Sequence, residues 1–147
     1  MGEKDVPGIH VNSTAHNVVL RKLSMMNNCD HATDAEYWKG DGFTTGRGVY
    51  NVRFENVTAT NNTDGDYDIE SSNMVLVRAF EGTTHDFRLW TTSATIENVT
   101  SVDATYYGGP GRATHVWLAD GAQAAIKDGK ITEPNPVRSI FQHWHRG

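Results

Sequence analysis

The stretch Asn61-Asn62-Thr63-Asp64-Gly65-Asp66-Tyr67-Asp68-Ile69-Glu70 gathers more chemically capable side chains than any other part of the chain. Side chains alternate along an extended backbone, so Asp64, Asp66, Asp68 and Glu70 point the same way, about 7 Å apart. Like charges at that spacing repel, and a hard cation with oxygen ligands relieves the repulsion. Calcium is the natural candidate. The stretch is no EF-hand loop: counted from Asp64, Ile69 stands where the glycine is required and Val75 where the closing glutamate belongs. The plainer alternative is a solvated acidic strand without an ion. A second element upstream, Trp38-Lys39-Gly40-Asp41-Gly42-Phe43, adds a further carboxylate between two glycines.

Strands must position these groups, and the sequence supplies them as a repeat. Asn17-Val18-Val19-Leu20, Asn51-Val52-Arg53-Phe54, Asn73-Met74-Val75-Leu76 and Ser93-Ala94-Thr95-Ile96 share one pattern, with a looser copy at Ala124-Ala125-Ile126. The apolar anchors Leu20, Phe54, Leu76, Ile96 and Ile126 are separated by steps of 34, 22, 20 and 30 residues. The long steps read as the same unit carrying loops, near Asp30 to Lys39 and Tyr106 to Arg112. A second strand precedes each copy, and alternation puts Ile9, Val11, Phe43, Ile69, Phe87, Leu89, Val116 and Leu118 on one face. Repeats of this length mean stacked units, each burying its core against its neighbours. The fold class expected is all-β: a short right-handed parallel β-helix, a solenoid of about five coils. An antiparallel sandwich or barrel is the runner-up, but Asn-Gly hairpin turns are lacking between the strands. Asn17, Asn51 and Asn73 are candidates for one corner ladder, and Asn56 and Asn98 for another. The chain reads as a single domain over 1–147, with 133–147 as a candidate C-terminal cap. There Ile140 and Trp144, four apart, would allow a short helix after Pro136.

Composition narrows the function classes. The formal net charge is -5, so no nucleic-acid footprint is expected. No apolar run reaches the roughly 20 residues that span a membrane, so no membrane partner is expected either. Cys29 is the one cysteine, which excludes an intrachain disulfide and reads as a buried thiol. The four Asn-x-Ser/Thr triplets, at Asn12, Asn56, Asn61 and Asn98, are of a kind that an Asn- and Thr-rich repeat produces by chance.

Gly40-Asp41-Gly42-Phe43 followed by Asn62-Thr63-Asp64-Gly65-Asp66-Tyr67-Asp68 resembles the calcium-dependent pectate lyases of the right-handed β-helix type. The closest pattern is the family with a DGF element on one coil and an N-x-D-D-G-W-D element on the next. The resemblance implies that Asp41, Asp64 and Asp68 hold a calcium ion bridging the protein and an acidic polysaccharide. The family's second consecutive aspartate falls at Gly65, with Asp66 beside it as a substitute ligand. The resemblance also implies secretion, although the start Met1-Gly2-Glu3-Lys4-Asp5 has no signal-peptide core.

These lyases cleave by β-elimination, in which a base removes the C5 proton of a uronate. No lysine follows the acidic strand until Lys127. Stacking the second strands puts Asp68, Arg88 and Trp117 in one outward column, with Glu70 and Trp90 beside it. Arg88 is therefore the candidate base or carboxylate clamp, with an ion pair to Asp68 or Glu70 as the plainer reading. Trp90, Trp117 and Glu70 are candidates for holding sugar rings. The function expected is a calcium-dependent lyase-like protein acting on or binding an acidic polysaccharide. The alternative is a non-catalytic glycan-binding or assembly module. An uncapped first coil further implies a homo-oligomer, most simply a dimer through the N-terminal coils.

Overall fold

The computed structural model describes residues 8–29, 40–82, 85–90, 93–104, 114–135 and 139–144. In chain order its strands are β1 (Ile9–Val11), β2 (His16–Arg21), β3 (Ser24–Met26), β4 (Phe43–Thr45), β5 (Tyr50–Thr60), β6 (Gly65–Ile69) and β7 (Ser72–Gly82). There follow β8 (His85–Trp90), β9 (Ser93–Val102), β10 (Thr114–Ala119), β11 (Gln123–Lys127), β12 (Lys130–Thr132) and β13 (Ser139–Trp144). One sheet runs β1-β4-β6-β8-β10-β13. The other runs β11-β9-β7-β5-β2, with β12 beside β9 and β3 beside β5. The chain thus alternates between two sheets, and among the described residues every strand pairing is parallel. The antiparallel sandwich is excluded.

The anchors pair in the register that their spacing predicts. Leu20 lies against Phe54, Phe54 against Leu76, Leu76 against Ile96, and Ile96 against Ile126. Phe54, Leu76 and Ile96 are fully buried, and burying each such side chain contributes about 1.5–3 kcal/mol. Opposite them, Phe43, Tyr67 and Phe87 stack at 5.3 and 5.5 Å between ring centroids, and Phe54 meets Phe43 and Tyr67 edge-on. Next to this column Ile69 pairs with Leu89, and both are buried. The expected interior face is therefore correct. It also includes Tyr67 and Thr45, the latter hydrogen-bonded to Ser71 Oγ at 3.0 Å.

Asparagine makes the bends. Asn17, Asn51 and Asn73 hold φ of 54°, 55° and 56°, a left-handed backbone that Asn tolerates better than most residues. Asn51 donates its side-chain amide to Asn17 Oδ1 at 3.0 Å, and Asn73 to Asn51 Oδ1 at 3.4 Å. The second ladder differs from expectation. Arg78 stands between Asn56 and Asn98, also left-handed, and donates to Asn56 Oδ1 at 2.7 Å.

Two further expectations are corrected. Residues 139–144 do not form a helix but β13, which extends the first sheet beside β10. A spacing of four suits both helix and strand, because it is a multiple of the strand period. Cys29 is exposed rather than buried. Both expected loops, with Trp38 and Lys39, and the first seven residues lie outside the described residues.

Candidate functional site

Glycine fixes the position of the first carboxylate. A Cβ at Gly40 would strike the Thr63 side chain and the Asn28 carbonyl, and Gly40 also has φ of 145°. A Cβ at Gly42 would meet the Asp66 carbonyl oxygen at 2.8 Å and Asn62 Nδ2 at 2.9 Å. Only glycine lets the two segments lie this close. The contact is then closed by hydrogen bonds from Gly42 N to Gly65 O, at 2.9 Å, and from Asp64 N to Gly40 O, at 3.3 Å. Gly65 N donates to Asp41 Oδ1 at 2.9 Å. Asp41 is thereby pinned against the acidic strand.

Parallel pairing does the rest. Asp68 lies beside Arg88, and Arg88 beside Trp117, along the outer face of the first sheet. Arg88 Nη1 donates to Asp64 Oδ2 in a short ion pair, and its Nε lies 3.8 Å from Asp68 Oδ1. The guanidinium carbon sits 5.4 Å from the Trp90 ring centre and 5.3 Å from that of Trp117. Trp90 Nε1 donates to Asp68 Oδ1 at 2.8 Å. Trp90 and Trp117 meet edge to face at 4.5 Å, with Trp144 6.2 Å from each.

Three carboxylates now share one guanidinium. Burial, then the charges of Asp68 and Asp64, push Asp41 well above the usual carboxylate range, against the pull of Arg88 and the Gly65 N–H. Burial also raises Asp68, opposed by Arg88, reinforced by Asp64, relieved by the Trp90 indole and reinforced again by Glu70. Beside Asp68 in the same outward column, the Thr44 hydroxyl oxygen is buried with no hydrogen-bond partner among the described residues.

The remaining sequence candidates divide. The structure brings together Asp41, Asp64, Asp68, Arg88, Trp90 and Trp117. Asp66 is fully buried and accepts from Asn62 Nδ2 at 2.6 Å, which ties it to the turn that feeds β6. Asn62 in turn accepts from Asn28 Nδ2 at 2.7 Å. Glu70 pairs with Arg47 at 2.8 Å, to one side of the cluster.

Trp144 is the site residue that sequence reasoning missed. Its signal was parity: in strand register it stands level with Ala119 and Trp90. A second polar group was also missed. Ser101 Oγ lies 2.5 Å from His115 Nδ1, and His115 Nε2 lies 3.2 Å from Glu133 Oε2. This has the order of a nucleophile relay, but Ser101 and His115 are fully buried, so no substrate reaches the hydroxyl. It ties β9 and β10 to the segment after β12.

The carboxylates of Asp41, Asp64 and Asp68 and the hydroxyl of Thr44 are oxygen donors of the chemical kind that a hard divalent cation takes. Among the described residues no three His, Cys, Asp or Glu side chains converge closely enough to hold a metal as they stand. The guanidinium of Arg88 stands between Asp64 and Asp68. No protein-family model matches the chain. No curated protein and no solved structure matches it significantly.

Proposed function

We propose that the two parallel sheets are walls of a short right-handed parallel β-helix, and that its outer Asp41–Asp64–Asp68 cluster binds an acidic polysaccharide through calcium. One observation carries the reading: the carboxylates of Asp41, Asp64 and Asp68 crowd together around the Arg88 guanidinium, beside the paired indoles of Trp90 and Trp117. Asp41, Asp64 and Asp68 are the residues that would hold the ion. When bound, calcium supplies the positive charge that an anionic sugar needs to approach an acidic surface. Trp90, Trp117 and Trp144 then offer apolar edges beside it.

If the protein acts as a lyase, a neutral Arg88 takes the C5 proton of a uronate, a C4–C5 double bond forms, and the C4–oxygen bond breaks with the departing sugar oxygen taking a proton from water. Clamped by Asp64 and Asp68, Arg88 is held in its protonated form and cannot accept that proton. The clamped geometry therefore favours binding without cleavage as the second reading. Pectate separates them: with calcium, absorbance at 235 nm rises if the protein is a lyase, and chelator stops the rise. Retention on a pectate gel without absorbance marks the binding module. Neither retention nor absorbance, with calcium present, would refute both. The edge strands β1, β2 and β3, with Val19 and Met26 exposed, are where the proposal puts a second copy. Light scattering that returns 16.3 kDa at high concentration would refute that dimer.

A further inference from the structure

We infer that the outer face of β13 is a sugar-binding subsite in its own right: Trp144 stacks on an uncharged pyranose ring and Gln142 hydrogen-bonds to its hydroxyls, with no need of a metal ion. The inference rests on the glycan part of the reading above and is independent of calcium. Register sets the face. Gln142 lies beside Trp117, and Trp144 beside Ala119, so both point outward with Trp90 and Trp117, while Phe141 lies in the inner column beside Val116. Alternation adds Ile140, also exposed, to the outer face. None of these three outward side chains carries a charge, so this end of the sheet is unlike the acidic cluster around Asp68.

Trp144 is held in place and still reached by solvent. Trp90 and Trp144 flank Ala119 in register, two strand spacings apart, which is roughly 9.5 Å. Their ring centres are only 6.2 Å apart and Ala119 is fully buried, so the two indoles lean together over it. Trp117 supports the same ring from its own column at 6.2 Å, tilted by 35°. Trp144 nevertheless remains 39% exposed, whereas Trp90 and Trp117 are half-buried and both meet the Arg88 guanidinium. A ring fixed before binding loses little freedom when a ligand arrives. An indole offers an apolar surface to the C–H groups of a sugar ring, and the neighbouring amide both donates and accepts hydrogen bonds, as hydroxyls do. Lacking charge, the pair favours a neutral sugar over a uronate. A protein strand would add along the backbone edge of β13; a sugar lies on the face, where the indole and the amide stand side by side.

Fluorescence titration of the full chain in chelator, with neutral hexaoses of glucose, xylose, mannose and galactose as probes, tests the subsite. At least one should bind and shift the tryptophan emission. Trp144→Ala should weaken that binding on the order of tenfold, with Trp144→Phe between the two. Equal binding in Trp144→Ala would overturn the subsite. So would no binding of any neutral hexaose while pectate is retained with calcium, a result that leaves the reading above standing. No binding of neutral or acidic glycan, with or without calcium, would remove both. Because Trp144→Ala also uncovers Ala119, and would be uninformative unfolded, the natural chain supplies a second readout. On binding, the indole N–H resonance of Trp144 should shift most, ahead of those of Trp90 and Trp117. A shift confined to Trp90 and Trp117 would overturn the assignment to β13. A Trp144 shift that appears with rising protein concentration and no glycan would make a second copy the occupant instead.

Discussion

Two arginine–carboxylate groups sit on the outer faces of the two sheets, and they are built in opposite proportions. On the second sheet Glu55 is shared by Arg21, at 2.6 Å, and Arg53, so one negative charge meets two positive ones in solvent. Hydrogen bonds from Arg53 and Arg21 lower the Glu55 carboxyl below its ordinary value. On the first sheet Asp41, Asp64 and Asp68 share Arg88, and burial plus mutual repulsion raise Asp41 and Asp68. Both groups form by the same means, since parallel register brings Arg21 beside Glu55 and Arg88 beside Asp68. Surface ion pairs of the first kind contribute little to stability. The second kind is buried, and its like charges disfavour the ionised state of Asp41 and Asp68, the feature on which the proposed binding role rests.

Removing the arginine should separate the two groups most sharply. Arg88→Ala leaves buried carboxylates without a counter-charge and should cost about 3 kcal/mol, lowering the melting midpoint by roughly 6–12 °C. Arg53→Ala should move it by no more than about 1 °C. Equal effects in calorimetry would erase the distinction. Removing a carboxylate should act in opposite senses. Asp41→Asn keeps an oxygen for the Gly65 N–H while deleting a crowded charge, and should stabilise the calcium-free protein by about 1 kcal/mol, or roughly 2–4 °C. Glu55→Gln should weaken its cluster slightly. A loss of stability in Asp41→Asn would mean that the three carboxylates do not compete for one arginine.

The pH dependence follows the same contrast. The folded chain holds protons on Asp41 and Asp68 that the unfolded chain releases, so these groups favour folding below the ordinary aspartate value of 3.8. That contribution is lost as pH rises through their raised values. Glu55 runs the other way: its contribution is present above its ordinary value of 4.5 and fades as pH falls through its lowered one. Without calcium, the midpoint should therefore decline above about pH 4, and Asp41→Asn should flatten the decline. A profile unchanged by Asp41→Asn would contradict the raised carboxyl.

Much of this was legible in the sequence because strand geometry is periodic. The anchor steps of 34, 22, 20 and 30 residues became the register of the second sheet, and alternation put Asp68, Arg88 and Trp117 in one column. What stayed hidden depended on bends. Asp66 answers to Asn62 in the preceding turn, and no period describes a turn. Ser101, His115 and Glu133 come from separate segments that only the fold brings together. Arg78 in the asparagine ladder had a trace: Asn56 and Asn98 are separated by the sum of two steps, so one member had to lie between them.

Calcium-dependent melting of the full chain tests the central claim most directly. At a hundred times its dissociation constant, calcium should add about 2.7 kcal/mol and raise the midpoint by roughly 5–10 °C, with most of that shift gone in Asp64→Asn. A midpoint that does not move at millimolar calcium, or that moves equally in Asp64→Asn, would contradict the account.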